Sequence, residues 1–474
     1  MTERRPPCGI LAAVDLGATS GRVFSATVSG GRVSVEPHSR FQNVPLTLPS
    51  GLHWDIGRLF SEIGGALRDV GSREGNLISV GVDSWGADYG LFHRGRLLGL
   101  PFTYRDPRAL RGLEATHRRI DAATLYRHNG LEPLPFNSLY QLSEDDEQGV
   151  LDLADLFLPI PDLMGYWLTS VASTEPTIAS TTGLLNAATQ TWDPAVMNRA
   201  GIPGRILPPL QKTGDSLARV SPQVQSAFGL PATTRVIKVA SHDTAAAAVA
   251  APLDERNSAY LSCGTWALIG VEISEPITSD AARSAGFTNE AGLDGRTLLQ
   301  KNLMGLGLIN DLVKENPDKE LAPLLEQAAS VVLRPDQLID PSDPLFLRPG
   351  RASLAIIEWF ARRERPVPAG YPALIRCVLE SLAQAFAEAI RHLEVISERS
   401  IPAIHIVGGG AQNTLLCQAT ADRSGKTVIA GPVEASVIGN VLIQARSLGM
   451  IDGDNEDLRN VVRASFRRQR FRPR

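Results

Sequence analysis

The stretch VIKVASHDTAAAAVAAP, residues 236–252, decides the fold, because it joins a strand pattern directly to a helix pattern. Its β-branched apolar run predicts a buried strand, and its block of alanines predicts a helix. Asp243 stands between the two, in the run Ser-His-Asp-Thr. Ser, Asp and Thr commonly cap helices, but the carboxyl end of a strand is also where α/β proteins place functional residues. Two interpretations of Asp243 therefore stay open: a helix cap, or a reactive carboxylate.

The same alternation of strand and helix patterns continues along the 474 residues. Strand, turn and strand are predicted for ILAAVDLGATSGRVFSATVSGGRVSVEPHSRF, LISVGVDSWGADYGLF and SAYLSCGTWALIGVE. A long helix is predicted for YPALIRCVLESLAQAFAEAIRHLEVISE, and strand, glycine turn and helix for IPAIHIVGGGAQNTLLCQATADRSG. Alternation of this kind predicts an α/β architecture, and the length allows two or three domains.

The two halves of the chain resemble each other near their starts. In each, a strand enters a turn of small and hydroxyl residues and a second strand leaves it: residues 17–21 (GATSG) and 262–265 (SCGT). Such turns suit anions, because glycine allows close approach and N–H and O–H groups point outward. We predict two lobes, residues 1–247 and 248–450, with the turns facing each other across a cleft. Residues 451–474 are predicted to form a basic, solvated tail.

Composition excludes several classes of protein. Apolar residues make up 43% and charged residues 21%, and the formal net charge is −4, so no global positive field attracts nucleic acid or an anionic membrane. No uncharged apolar stretch has the length of a membrane helix, and no signal-peptide pattern is present. The four cysteines lie far apart, which favours free thiols in a reducing compartment. We expect a cytoplasmic monomer or homodimer without nucleic-acid or membrane partners.

Some motifs are misleading. SGKT at residues 424–427 lacks the earlier glycine of a P-loop, and GGG at residues 408–410 lacks the dinucleotide-binding spacing. Ser241 and His242 are not accompanied by a G-x-S-x-G nucleophile turn. What fits better is a nucleotide site made of scattered turns, with Asp15 positioned to hold Mg²⁺ through water and Gly408–Gly410 allowing an adenine or ribose to lie on bare backbone. An Asx turn is the competing interpretation of Asp15.

In sequence order, the segments VDLGATSGRV, GVDSWGADYGLF, YRD, SHDTAAA, AYLSCGTWALIG, KNLMGLG, HIVGGGAQNTLL and VIAGPVEASVIGN resemble the FGGY carbohydrate kinases. The resemblance covers about residues 10–445. It implies a two-lobed actin, Hsp70 and hexokinase-like (ribonuclease H-like) α/β fold, with mixed sheets flanked by helices and the active site between the lobes. Within the family, LPFNSLYQL, SHDTA and VGGGAQNTLL are most similar to the subfamily that phosphorylates L-rhamnulose.

The resemblance also implies roles for individual residues. Asp243 matches the general base that takes the proton of the sugar hydroxyl. The positions implied to bind ATP are Ala18, Thr19, Ser20, Gly21, Arg22, Thr265, Asn310 and Gly409. The positions implied to bind the sugar are Gly86, His242, Asp243, Thr244 and Asn302. Asp83 is a further candidate at the pocket, with a buried turn carboxylate as the competing interpretation. Trp54 and Asp55 are candidates at its border, and a core residue is the competing interpretation of Trp54. ATP and Mg²⁺ are the expected cofactors, and Asp15 is the expected metal ligand.

Two departures from the family pattern affect the nucleotide side. Gly307 stands where the subfamily commonly has a bulky aromatic residue, and Asn310 replaces a glutamine that contacts the nucleotide. The predicted activity is ATP-dependent phosphorylation of L-rhamnulose to L-rhamnulose 1-phosphate in L-rhamnose catabolism. A kinase for L-fuculose, xylulose or glycerol is the alternative within the family. A nucleotide-gated binding protein without transfer chemistry is the alternative of a different class.

Overall fold

The computed structural model describes residues 9–253, 257–316, 320–347 and 350–474. It contains helices and mixed sheets throughout, which confirms the predicted α/β class. The strands are β1 (Ile10–Leu16), β2 (Ser20–Ser29), β3 (Arg32–Gln42), β4 (Leu46–Leu48), β5 (Gly51–His53), β6 (Leu77–Ser84), β7 (Tyr89–His93), β8 (Arg96–Leu97), β9 (Leu156–Pro159), β10 (Ser216–Arg219), β11 (Arg235–Ile237), β12 (Ala259–Cys263), β13 (Trp266–Ile273), β14 (Thr288–Ala291), β15 (Thr297–Met304), β16 (Ala403–Val407), β17 (Thr427–Ala430) and β18 (Gln469–Phe471).

The α-helices alternate with these strands, and several short 3₁₀ turns accompany them. The helices are α1 (Ile56–Glu74), α2 (Arg108–Arg119), α3 (Ala122–Asn129), α4 (Ser138–Glu147), α5 (Val150–Leu153), α6 (Ile160–Thr169), α7 (Pro176–Ser180), α8 (Pro194–Ala200), α9 (Pro222–Phe228), α10 (Asp243–Ala250), α11 (Asp280–Ser284), α12 (Gly307–Lys314), α13 (Leu321–Ala329), α14 (Ala352–Ala361), α15 (Tyr371–Ser397), α16 (Thr414–Ser424), α17 (Ala435–Ser447) and α18 (Asn455–Ser465).

The chain forms two compact units that are not continuous in sequence. The first comprises residues 1–250, 273–299 and 435–465, and the second comprises residues 251–272, 300–434 and 466–474. The sequence predicts residues 273–299 and 435–450 in the second lobe, and this prediction differs from the structure. These residues belong to the first unit because β14 is buried against α7, and because α17 packs its apolar side chains against β1, β6 and α10.

The first unit is built on a sheet with the strand order β10-β11-β6-β1-β2-β3. Its central strands β1 and β6 run parallel and are buried along almost their whole length, as their near-continuous apolar runs require. Helix α1 packs on this sheet through apolar residues spaced three and four apart, among them Leu59, Ile63 and Leu67, which belong to the same buried core.

Helices α10 and α17 cross within the first unit at very close range. A Cβ atom added at Gly439 of α17 would lie 1.9 Å from the carbonyl oxygen of Ala246 in α10. The alanine block that follows Asp243 is buried throughout, so its small side chains let the second helix approach this closely.

The second unit contains strands in the order β15-β13-β12-β16-β17-β18, of which β12, β16 and β17 are parallel. Strand β16 leads through a glycine turn into α16, as predicted. The long helix predicted from residue 371 is α15, which has 27 residues.

The C-terminal segment does not form the solvated tail that the sequence analysis expected. Residues 455–465 form α18, whose Leu458 and Val462 are fully buried. Strand β18 then pairs antiparallel with β17 and buries Phe471. Apolar residues within the segment explain this, because Leu458, Val462 and Phe471 pack inward while the arginines from residue 467 onward remain exposed.

Within the described ranges, no helix is both long and apolar enough to cross a membrane. Cys263, Cys377 and Cys417 are buried free thiols, which agrees with the predicted absence of disulfides among them. Burial raises the pKa of the Cys263 thiol to about 12, so it is a small apolar side chain rather than a reactive thiolate. Cys8 lies outside the described residues.

Candidate active site

Asp243 is the first residue of α10. Its Oδ1 accepts hydrogen bonds from the N–H of Thr244 at 2.6 Å and from the Thr244 hydroxyl at 3.3 Å. Its Oδ2 receives no hydrogen bond from the residues that the structure describes, and 32% of the side chain is exposed. One oxygen thus binds the start of the helix while the other remains available to a ligand, so the capping and reactive interpretations are compatible.

Two further carboxylates lie at neighbouring strand ends in the first unit. Asp15 and Asp83 are directly opposite each other on the parallel strands β1 and β6. The N–H of Ser84 donates to the carbonyl of Ser241 at 2.9 Å, which attaches the segment before Asp243 to the same sheet edge. The chain therefore gathers three carboxylates that are far apart in sequence.

The proximity of these carboxylates affects their protonation. Burial raises the pKa of Asp83 well above its ordinary value, and the negative charges of Asp15 and Asp243 raise it further. Burial raises the pKa of Asp243, and the negative charge of Asp15 raises it further, whereas the neighbouring His242 lowers it. The resulting pKa of Asp243 is about 6. A carboxylate with this pKa is mainly ionised at neutral pH and is matched to accept a proton.

Asp15 is held by side chains rather than only by its turn. Arg22 forms an ion pair with its Oδ2, and the Ser436 hydroxyl donates to the same oxygen at 2.8 Å. Among the described residues, no three His, Cys, Asp or Glu side chains are arranged to enclose a metal ion. Mg²⁺ needs no such cage, because it keeps several waters and binds through one or two carboxylates and phosphates. Asp15 fits this role, and Asp83, opposite it on β6, has a buried Oδ1 with no hydrogen-bond partner in the described part of the chain.

The first predicted phosphate turn, residues 17–21, is a tight connection between β1 and β2. The N–H of Gly17 donates to the carbonyl of Ser20 at 2.9 Å, and Asn43 donates to two carbonyls of the turn, through its N–H to Thr19 and through its side-chain amide to Gly17. Ala18 and Ser20 are half-buried, whereas Thr19 is exposed. Packing alone requires glycine at position 21, since a Cβ there would lie 2.2 Å from the Phe41 ring.

The loop after β6 contains the predicted sugar-binding position Gly86. A Cβ at this glycine would lie 3.0 Å from the Thr181 side chain, so the loop packs closely against the end of α7. Trp54 is fully buried, and its indole N–H donates to Asp88 at 2.6 Å, which makes it a core residue that orients this loop. Asp55 caps α1 by accepting from the N–H of Arg58.

The corresponding turn of the second unit contains Thr265, between β12 and β13. Its carbonyl accepts from the N–H groups of Gly305 and Gly307, each at 3.1 Å, so the turn and the start of α12 are joined. A Cβ at Gly307 would already lie 3.2 Å from the Thr265 side chain. Glycine at position 307 therefore lets the start of α12 lie close to this turn.

The glycine turn after β16 lies beside the same strand end. Gly408 has φ of 78°, which favours glycine, and a Cβ at Gly410 would lie 2.6 Å from the Cys263 sulfur. Gly409 is exposed between them, and the Asn413 side chain caps the following helix α16. The second unit thus presents bare backbone and a helix start at the end of β12, which suits a flat ring or a phosphate.

The two predicted asparagines of the second unit differ in their surroundings. The Oδ1 of Asn302 on β15 is buried and has no hydrogen-bond partner among the described residues. Asn310 lies one turn inside α12 and is exposed. The structure groups Asp15, Arg22, Asp83, His242, Asp243 and Thr244 within the first unit, and Thr265, Gly307 and Gly408–Gly410 within the second.

Sequence reasoning missed the residues of α17 that support the carboxylates. Asn440 donates to Asp83 at 2.6 Å, and Gln444 donates to Asn440 at 2.7 Å and accepts from Ser79 at 2.6 Å. Ser436, Asn440 and Gln444 recur every four residues in an otherwise apolar helix. This spacing places them on one helix face, and a polar face on a buried helix is the signal that could have found them.

It also missed Glu175 and Glu290. Glu175 is fully buried and accepts from the N–H groups of Thr177 and Ser241, at 2.9 and 3.1 Å. It therefore holds the segment that carries His242 and Asp243. Glu290 lies 2.8 Å from the Nδ1 of His242. Neither glutamate belongs to a sequence pattern that indicates a site.

Comparison with known proteins agrees with this geometry. The family model described as the N-terminal domain of the FGGY family of carbohydrate kinases matches residues 10–250, and that of the C-terminal domain matches residues 259–448. A protein of Bacteroides thetaiotaomicron named rhamnulokinase is 37% identical over 97% of this chain and 95% of its own length. A Klebsiella pneumoniae protein of the same name is 38% identical over 97% and 94%.

Solved structures show the same fold. The xylulose kinase of Lactobacillus acidophilus superposes with a TM-score of 0.81 at 17% identity, covering 98% of this chain and 94% of that protein. The glycerol kinase of Plasmodium falciparum, solved with ADP, gives a TM-score of 0.79 at 13% identity with the same coverage. The predicted actin-like fold is confirmed. Because family models for both domains match and curated relatives align over nearly the whole chain, this protein belongs to the FGGY family of carbohydrate kinases and is a sugar kinase.

Proposed function

We propose that this chain is a rhamnulokinase, which transfers the γ-phosphoryl group of ATP to L-rhamnulose and forms L-rhamnulose 1-phosphate and ADP in L-rhamnose catabolism. Two kinds of support exist for this activity. The relatives that align over nearly the whole chain at 36–38% identity carry this name. The observation that carries the chemistry is Asp243, an acidic side chain with one oxygen available and a pKa of about 6.

In the proposed mechanism, Asp243 is the general base. A protonated sugar hydroxyl is a weak nucleophile, and a carboxylate within about 3 Å can align it and accept its proton as the new oxygen–phosphorus bond forms. The bond between the γ-phosphorus and the bridging oxygen breaks, and ADP leaves. Thr244 holds one oxygen of Asp243, so the other is the proton acceptor.

The remaining predicted residues are proposed to position the two substrates. Family membership implies ATP as the phosphoryl donor. We propose that residues 18–22 and Thr265 bind its phosphates, and that Gly409 and Asn310 bind the nucleoside. We propose that Gly86, His242, Thr244 and Asn302 bind the sugar, and the unpaired Oδ1 of Asn302 is a ready acceptor for a sugar hydroxyl. Mg²⁺, held near Asp15 through water, would neutralise phosphate charge.

A panel of sugars tests the proposal. ADP release is measured with L-rhamnulose, L-fuculose, D-xylulose and glycerol, and the phosphorylated position of the product is read by phosphorus-coupled NMR. We expect the highest kcat/KM with L-rhamnulose and phosphorylation at C1. A higher kcat/KM for another sugar would remove the assignment to L-rhamnulose and retain the sugar kinase. ATP hydrolysis that no sugar changes would contradict phosphoryl transfer to a sugar altogether.

A further inference from the structure

His242 lies between two carboxylates of the first unit. Its Nδ1 is 2.8 Å from Oε2 of Glu290, and its Nε2 is 3.4 Å from Oδ1 of Asp243. Only 9% of the His242 side chain and 10% of the Glu290 side chain are exposed. Both ring nitrogens thus face negatively charged groups in a nearly dry environment, where such interactions are strong.

Glu290 is fixed by the strand that carries it. On β14, the N–H of Ala291 donates to the Ser180 hydroxyl at 3.0 Å, and the N–H of Asn289 donates to the carbonyl of Gly130 at 2.8 Å. These bonds on either side of Glu290 attach the strand to the ends of α7 and α3. The carboxylate is therefore held in place from both flanks, although nearly fifty residues separate it from His242 in sequence.

Every charged group around this pair has an identifiable effect. Burial lowers the pKa of His242, whereas Glu290, Asp243 and Glu175 raise it, in decreasing order, and the result is a pKa of about 9. His242 is therefore an imidazolium at neutral pH. The imidazolium in turn lowers the pKa of Asp243, against burial and the charge of Asp15.

We propose that Glu290 is a positioning residue for phosphoryl transfer, which keeps His242 in its imidazolium form and through it keeps Asp243 ionised and oriented. The inference rests on the proposed role of Asp243 as the base. Glu290 itself does not accept the proton of the sugar. It acts by supplying the negative charge that stabilises a cation beside the base. Removal of that charge takes away the largest of the effects that favour the imidazolium, so the positive charge that stabilises ionised Asp243 is weakened.

The test is Glu290→Gln, which keeps the size of the side chain and removes its charge. We expect the acid limb of kcat/KM to move to higher pH by about one unit, because loss of a nearby opposite charge raises a carboxyl pKa by about that much or more. Near pH 6.5 the variant should be several-fold slower, and near pH 8.5 its kcat should return close to that of the unchanged protein. The KM for the sugar should change little.

Asp294→Asn is the matched control. Asp294 follows β14, lies at the surface in an ion pair with Arg446, and carries the same charge without facing His242. Its φ of 54° is one that asparagine tolerates. This variant should keep the pH profile of the unchanged protein. If both variants shift the profile equally, net charge rather than Glu290 is responsible, and the proposal fails.

A second measurement does not depend on how the variant folds. Nitrogen-15 NMR of the imidazole in the unchanged protein should show His242 doubly protonated at pH 7. A neutral His242 at pH 7 would overturn the proposal, as would a Glu290→Gln enzyme that raises the KM for the sugar without moving the pH profile. The kinetics use whichever sugar the unchanged enzyme phosphorylates best. The role of Glu290 is therefore tested even if that sugar is not L-rhamnulose.

Discussion

The candidate site of the first unit consists mainly of acidic side chains, whereas that of the second unit consists mainly of glycine-rich backbone. In the first, Asp15 and Asp83 lie near the ends of β1 and β6 and are held by polar side chains of α17, and Asp243 is the first residue of α10. In the second, the end of β12 is surrounded by backbone at Thr265 and Gly408–Gly410. The difference indicates that the first site depends on protonation and the second on close approach. Substitutions that change charge should therefore impair the first site, and substitutions that enlarge a side chain should impair the second.

The strongest test of this contrast is Asp243→Asn. The amide can still accept from Thr244 but cannot take a proton, so kcat should fall by about 10²–10⁴-fold while the fold is retained. Steady-state kinetics and circular dichroism measure the two quantities. Turnover near that of the unchanged enzyme in a folded variant would show that Asp243 is only a helix cap.

The pH dependence tests the same site without a substitution. Asp243 must be ionised to act as a base, and burial raises its pKa to about 6. The kcat/KM value should therefore be level above about pH 7, fall to about half at pH 6, and fall about tenfold per unit below about pH 5, since the ionised fraction follows that course. A profile that stays level down to pH 4.5 would contradict the perturbed carboxylate.

In the second unit, the effect of added side-chain volume is tested by comparing Gly410→Ala with Gly409→Ala. A Cβ at Gly410 would lie 2.5 Å from the Cβ of Cys263, whereas a Cβ at Gly409 would have its nearest neighbour, the Cys263 carbonyl oxygen, at 3.9 Å. Gly410→Ala should lower the free energy of unfolding by about 1–3 kcal/mol, as overpacking does. Gly409→Ala should leave stability unchanged and raise the KM for ATP. Equal stability of the two variants would show that the turn tolerates volume.

The smallest effect is expected at Asn310. It is exposed on α12, so Asn310→Ala should change the free energy of unfolding by less than about 0.5 kcal/mol. Loss of one hydrogen bond to the nucleotide, about 0.5–1.5 kcal/mol, should raise the KM for ATP roughly 2- to 12-fold. An unchanged KM would remove Asn310 from the nucleotide site.

The sequence predicted much of the fold because local patterns control its elements. The strand–turn–strand units around Asp15 and Thr265, the long helix from Tyr371 and the strand before Gly408 all follow from apolar periodicity and glycine position. The sequence did not predict which unit contains residues 273–299 and 435–465, because that depends on packing between segments that are distant in sequence.

The candidate site shows the same division. Motifs and the family resemblance indicated Asp243 and the two turns, since these lie in short runs with recognisable composition. Glu290 and Glu175 were not predicted, because each meets His242 or its segment only after the chain has folded back over many residues. Glu290 lies in the short, mostly polar strand β14 and Glu175 precedes the short helix α7, so neither stands out in a periodic apolar pattern.

The contact between Gly439 and Ala246 has a consequence for how the acidic residues keep their spacing. One helix begins with Asp243 and the other holds Asp83 through Asn440, and at their crossing the main chains touch with no side chain between them. Sliding of either helix would force backbone atoms into collision. The distance between these two acidic side chains is thus set at a position that bears no charge and has no functional group, by the absence of a single methyl group.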